Sequence, residues 1–204
     1  MQLTPKRVYL AGPEVFLTNA KEIGENKKAL CRKYCFEGVF PIDVEVDTKG
    51  KSPREVGLCI SGINEKLIKT CGIVIANITP FRGPSADVGT AYEMGFARAL
   101  GKKVFAYTNV AVPFTERTVK ALSAKVSRSS DGRLRDSQGM FIEEVELTDN
   151  LMIDGCIHAS SKQLVVEQAP ADQLYTYLGG FEKCLRAAKE RVDSESEAKS
   201  LDKP

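Results

Sequence analysis

The segment GIVIANI, from Gly72 to Ile78, constrains the fold more than any other part of the chain. A nearly continuous β-branched run of this kind is the pattern of a strand covered on both faces, in the middle of a parallel sheet. Such a strand needs helices above and below it, and the flanking sequence supplies them. RVYLAG (7–12) reads as a short buried strand ending at a Gly-Pro turn. A helix is expected from Asn19 to Tyr34, with Thr18 or Asn19 near its N-cap and a helical stripe through Ala20, Ile23, Lys27, Leu30 and Tyr34. GVFPID gives a second strand, stopped by Pro41. Ser52-Pro53-Arg54-Glu55 is a helix start, with Ser as cap, Pro in the first turn and Glu at the third position, and this helix should run to about Lys69. A helix from Val88 to Leu100, with Gly101 as its C-cap, precedes the strand KKVFAYTN. KQLVVEQ fits a last strand, and 171–192 a closing helix.

Strands and helices alternating at this spacing predict an α/β fold: a doubly wound parallel sheet of about five strands with helices on both faces. Ligands of such sheets bind beyond the carboxyl ends of the strands. The loops after Gly12, Asp43, Ile78 and Tyr107 should therefore rim one cleft. With 204 residues, a single domain over 1–192 is expected. Within it, 110–139 has the composition of a mobile surface loop whose arginines are solvated or, alternatively, bind phosphate. Residues 193–204 have that of a disordered tail.

Composition removes several function classes. A formal net charge of +2 gives no reason to expect a nucleic acid polymer or an anionic membrane as partner. No apolar run approaches the roughly 20 residues a bilayer requires, and MQLTPKRVYLAG enters a strand without a signal-peptide core, so a cytoplasmic protein is expected. The six cysteines form no C-x-x-C pair, and the single histidine, His158, is too few for the usual zinc sets. The cysteines are read as small buried apolar residues. Ser-His or Cys-His catalysis would rest on His158 alone, which leaves carboxylates as the candidate chemists.

Two carboxylates stand out in GPSADVGTAYEMGFARALGKK (83–103). The stretch lies at a strand–loop–helix junction but matches neither G-x-G-x-x-G nor G-x-x-x-x-G-K-[ST]. Asp87 suits an N-cap of the helix it precedes. Glu93, six residues on, sits among Ala91, Tyr92, Met94, Gly95, Phe96 and Ala97, which suggests a helix buried over most of its circumference. A partly desolvated carboxylate near a helix N-terminus is a competent nucleophile. Equally, Glu93 has a structural reading as the ion-pair partner of Arg82 or Arg98. Gly89 and Gly95 leave room for another group to approach.

VYLAGPEVF, PID, IVIANITPFRGPSADVGTAYEMGFARALGKKVFAYTN and, later, DNLM together resemble the nucleoside 2-deoxyribosyltransferase family, over roughly 7–108 and again at 149–152. The resemblance implies a flavodoxin-like fold and exchange of the base of 2′-deoxyribonucleosides with a free purine or pyrimidine base, without a cofactor. It implies that Glu93 attacks the anomeric carbon and carries the deoxyribosyl group, with configuration retained. By the same resemblance Tyr9 orients Glu93, Asp87 holds the sugar hydroxyls, Phe16 stacks on the base, and Gly12 and Asp43 belong to the substrate-binding loops. Asn150 would reach the 5′-hydroxyl in a neighbouring subunit, so a homo-oligomer with shared sites is implied. One position departs from the pattern. Several members carry an aspartate that protonates the leaving base where this chain has Asn64, and an amide cannot donate that proton. Asp43, Glu14 or solvent is left to do so, and Asp43 has an alternative reading as a turn residue after Pro41. A related reading is a hydrolase of 2′-deoxynucleoside 5′-monophosphates, against which Glu14 counts as a carboxylate where a phosphate would be unwelcome. A third is a non-catalytic nucleotide sensor, for which Tyr9, Asp87 and Glu93 together would have no use.

Overall fold

The computed structural model describes residues 6–122 and 125–201, the last three of these by backbone alone. Five parallel strands, β1 (Lys6–Ala11), β2 (Phe36–Val39), β3 (Ile73–Asn77), β4 (Lys103–Thr108) and β7 (Leu164–Val166), form one sheet in the order β2-β1-β3-β4-β7. This is the flavodoxin-like order, whose switch point lies between the first and third strands. The run that anchored the sequence argument occupies the centre: Ile73 to Asn77 are all buried, with β1 on one side and β4 on the other.

Helices cover both faces. α1 (Ala20–Lys33) and α6 (Gly179–Leu201) pack against Val8, Leu10, Ile73, Ile75 and Phe105 through Cys31, Phe181, Leu185 and Ala188. α2 (Pro53–Thr70), α3 (Val88–Ala99) and α5 (Leu151–His158) pack on the opposite face, where Ile68, Met94, Ala97, Ile153 and Ile157 meet Tyr9, Ala11, Val74 and Ala76. Each of the Val, Leu, Ile, Phe and Met side chains among these contributes roughly 1.5–3 kcal/mol relative to exposure. The two-residue period of β1 settles which way Tyr9 points: with Val8 and Leu10 turned towards α1 and α6, Tyr9 must face α2 and α3.

The local signals hold at the helix starts. Ser52 Oγ accepts from the Glu55 amide at 3.3 Å, and Glu55 Oε2 accepts from the Ser52 amide at 2.8 Å, a reciprocal cap. Elsewhere the expectations need correction. The stretch read as a mobile loop contains α4 (Phe114–Leu122) and a short hairpin, β5 (Ser127–Arg128) with β6 (Leu134–Arg135). α6 starts at Gly179 rather than 171 and stays helical to Leu201, so 193–201 are not a structureless tail; residues 123–124 and 202–204 lie outside the described residues. α3 is buried along one stripe only, through Thr90, Met94 and Ala97, while Val88 is 84% exposed. Cys31, Cys71, Cys156 and Cys184 are buried as expected, Cys59 is half-buried and Cys35 is exposed; all six are free thiols. Among the described residues, no helix is long and apolar enough to cross a membrane.

Candidate active site

The switch point between β1 and β3 opens into a cleft with two joined lobes. One, about 300 Å³, is lined by Gly12, Phe16, Ile42, Asp87 and Thr90; the other, about 250 Å³, lies between α2 and α3 and is lined by Gly57, Ser61, Glu65 and Tyr92. Ile60, Asn64, Gly89 and Glu93 line both, so Glu93 stands at the junction.

Glu93 is half-buried, three residues from Thr90 and therefore at the edge of the α3 stripe that faces the sheet. Its Oε1 accepts a hydrogen bond from the Tyr9 hydroxyl at 2.5 Å. Neither arginine considered above pairs with it: Arg82 packs against Phe16 and Phe81, and Arg98 lies by a groove on the other side of α3. Burial pushes the Glu93 carboxyl up to about 7; the Tyr9 hydrogen bond opposes the rise, and the negative charge of Asp87 adds to it. The same burial and the neighbouring carboxylate hold the Tyr9 phenol far above its ordinary range, so it acts as a fixed donor.

Asp87 is both a cap and a wall of the cleft. Its Oδ2 accepts from the Thr90 amide at 2.9 Å and from Thr90 Oγ1 at 3.1 Å, satisfying the first turn of α3. Both bonds use one oxygen, so Oδ1 remains for a ligand. A methyl group at Gly89 would come within 3.0 Å of Oδ2, which explains the small residue there.

Phe16 is 55% exposed. Its ring stacks on Phe81 at 5.2 Å, and the Arg82 guanidinium lies 5.0 Å from Phe16 and 4.6 Å from Phe81. Three nearly equal separations make a triangle rather than a three-layer stack, and Phe16 lines the cleft. Arg82 holds this place with a left-handed backbone, φ 55°, a conformation that costs a side-chain-bearing residue of order 1–3 kcal/mol.

Two proposed proton donors are ruled out by their surroundings. Asp43 lines neither lobe; its Oδ2 accepts from the Phe40 amide at 3.1 Å and its Oδ1 pairs with Lys28 at 2.8 Å, the turn role after Pro41. Glu14 is fully buried beneath the first loop, and its Oε1 accepts from Lys27 at 2.6 Å, Tyr107 at 2.9 Å and Asn77 at 3.0 Å. Glu14 lines neither lobe and is paired with Lys27 in the core, which weakens the objection to phosphate raised from it. Gly12 lines the cleft for a steric reason as well: with φ 155°, a methyl group there would sit 2.0 Å from Glu14 Oε2.

Asn150 is not brought to Glu93 within the chain. Its Oδ1 caps α5 by accepting from the Met152 amide at 3.0 Å, and it faces a groove of about 440 Å³ beyond α3, lined also by Ser85, Val88, Gly95 and Met152. That groove is larger than either lobe but holds no carboxylate, so it offers no comparable chemistry.

Several site residues escaped the sequence reading. Ile60 and Glu65 share the α2 wall with Asn64, and the helical recurrence of 57, 61, 64 and 68 would have indicated that wall. Asp149, fully buried, accepts from Ser85 Oγ, from the Ala86 amide at 3.1 Å and from Arg117 at 3.1 Å, which clamps the segment leading into Asp87. Arg117 also donates to the Pro84 carbonyl at 2.7 Å. No local pattern marks that junction, because its partners come from three separate segments.

Comparison with known proteins places the chain in a family. The family model described as nucleoside 2-deoxyribosyltransferase matches residues 8–152. An uncharacterized protein of Schizosaccharomyces pombe is 29% identical over 170 residues, covering 78% of this chain and 81% of its own. The structure of a 2-desoxiribosyltransferase from Leishmania mexicana superposes with a TM-score of 0.54 at 26% identity, covering 85% of this chain and 97% of that one. A 2-deoxyribosyltransferase from Bacillus psychrosaccharolyticus is 22% identical with a TM-score of 0.42, covering 54% and 81%. With more than half of its length matched by the family model, the chain belongs to the nucleoside 2-deoxyribosyltransferase family.

Proposed function

We propose that this protein exchanges the base of 2′-deoxyribonucleosides with a free purine or pyrimidine base through a covalent deoxyribosyl ester on Glu93. The observation that carries this reading is the Tyr9–Glu93 pair at the junction of the two lobes. One carboxylate oxygen is held by the phenol, which leaves the other to form a bond to the anomeric carbon. As that bond forms, the C1′–N bond breaks and its electron pair leaves with the base. A second base then attacks C1′ from the opposite side and displaces Glu93. Two inversions give net retention, the logic of a retaining glycosidase with a base in place of water.

The other residues take roles that fit their surroundings. Asp87 receives a sugar hydroxyl on Oδ1 while Oδ2 stays with Thr90. Phe16 offers its exposed ring to the base, and Gly12 lets the substrate come close to the backbone. Asn64 Oδ1 is buried without a partner among the described residues, a cost of about 1–3 kcal/mol that an N–H of a bound base would relieve. Asn150 acts from a second subunit, which makes the working enzyme a homo-oligomer with shared sites. The role is deoxyribonucleoside salvage in the cytoplasm, and the reaction needs no cofactor.

A second reading, hydrolysis of 2′-deoxynucleoside 5′-monophosphates, gains from two observations. Arg82 flanks the cleft-lining Phe16 without a carboxylate partner among the described residues, and Glu14 is withdrawn into the core. One assay separates the two. Deoxyinosine, thymidine and their 5′-monophosphates are each incubated with a panel of free bases, and both base exchange and free sugar are measured. Exchange with the nucleosides supports the transferase; release of deoxyribose 5-phosphate without exchange would replace it with the hydrolase.

A further inference from the structure

Breaking a C1′–N bond expels a basic nitrogen, and a proton delivered to it lowers the barrier. Among the described residues, three carboxyl groups line the two lobes around Glu93: Glu93 itself, Asp87 and Glu65. Glu93 is required as the nucleophile. Asp87 is engaged by Thr90 through Oδ2 and, in the reading above, by a sugar hydroxyl through Oδ1. Glu14 and Asp43, outside the cleft, are each paired with a lysine.

Glu65 is not the nucleophile, caps no helix and pairs with no lysine among the described residues. It stands on the α2 wall next to Asn64, lines the same lobe as Glu93, and is half-buried. Its partner is neutral: the Tyr92 hydroxyl donates to Oε1 at 2.5 Å, which fixes the carboxyl and leaves Oε2 open. No lysine or arginine among the described residues pairs with it; Lys69, one helical turn along, lies over the Phe96 ring instead.

We propose that Glu65 is the catalytic acid for the departing base and the catalytic base for the incoming one; this rests on the transferase reading given above. In the first half, the Glu65 carboxyl gives its proton to a nitrogen of the leaving base as the C1′–N electron pair moves onto that base and Glu93 bonds to C1′. In the second, the incoming base passes its N–H proton to the Glu65 carboxylate as it displaces Glu93. Glu65 ends protonated, ready for the next cycle.

The test compares two substrates of the full-length protein. Deoxyadenosine needs its base protonated, whereas 7-methyl-2′-deoxyguanosine already carries a cationic base that leaves neutral with no added proton. Glu65→Gln should slow adenine release by about 10²- to 10⁴-fold, the usual range for removing a proton donor, and leave 7-methylguanine release within a few-fold of wild type. Activity on the methylated substrate also shows that the variant is folded. Equal losses on both substrates, or no loss on deoxyadenosine, would overturn the assignment. If wild-type protein releases base from neither substrate, it is the functional reading itself that fails, and with it this role.

Discussion

Tyr9 and Glu93, 84 residues apart in sequence, meet at 2.5 Å where β1 ends and the second turn of α3 begins. Burial makes this carboxylate hard to ionise, while the phenol's hydrogen bond favours and orients the ionised form. The two effects have opposite signs and can be separated by substitution.

The first prediction concerns pH. A nucleophilic Glu93 must be ionised, so on a substrate whose base needs no added proton the rate of base release should climb as pH rises through about 7. The Tyr9 hydrogen bond favours the charged form, so Tyr9→Phe should move this limb to higher pH. The charge of Asp87 disfavours it, so Asp87→Asn should move the limb to lower pH, whatever it does to the maximal rate. Single-turnover rates across pH 5–9 check both directions; shifts of the same sign in the two variants would contradict the assignment.

Stability should carry the mirror image of this effect. Glu93 binds its proton more tightly in the folded protein than in the unfolded chain, so folding releases no proton from it below the unfolded value of about 4.5 and is penalised as pH rises from there through about 7. Glu93→Gln removes the penalty. Thermal melts of the two proteins should nearly coincide near pH 4.5 and separate in favour of the variant by pH 8. A gap that does not grow with pH would mean that Glu93 is not desolvated.

The Glu14–Lys27 pair should behave as a buried ion pair does. Lys27→Met strands the Glu14 carboxylate in the core, and urea denaturation should register a loss of about 3–5 kcal/mol. Adding Glu14→Gln removes the stranded charge and should recover part of that loss, since Tyr107 and Asn77 can still donate to the amide oxygen.

Asp149 acts on Asp87 only through the segment between Ser85 and Ala86. Asp149→Asn keeps the side chain's shape but weakens its bonds to Ser85 and Arg117. Misplacement of about 1 Å can cost 10²-fold in rate, so a fall of about 10- to 100-fold in kcat/KM is expected, with the melt lowered by a few degrees at most. Unchanged kinetics would show that the junction does not position the site.

Shared sites can be tested by mixing. Glu93→Ala and Asn150→Ala proteins, each inactive alone, should regain some exchange activity when combined, because a hybrid would contain one intact site. No recovery despite demonstrated subunit exchange would remove Asn150 from the active site.

Much of this was legible in the residues. The β-branched run at β3, the Ser52–Glu55 capping box and the Asp87 cap are local signals, set by side chains within a few positions of each other, and each formed as read. The hairpin within 125–142 was not, because its strands are two residues long and held largely by exposed charged side chains. Read as a general acid or as a charge facing the cleft, Glu14 was misplaced: nothing near it in sequence announces that Lys27, Asn77 and Tyr107 will converge on it.

The sequence by itself therefore determined the alternation of strands and helices, the caps that start α2 and α3, and the carboxylates near the head of α3, because periodicity and capping act over one or two turns of chain. Tertiary structure alone decided which carboxyl groups share a cleft. Tyr9 reaches Glu93 because strand parity turns it towards α3, Glu65 reaches the same lobe because α2 packs beside that helix, and Glu14 is drawn inward because a buried lysine lies opposite it. Charge and desolvation depend on distance through space, and no local pattern encodes them.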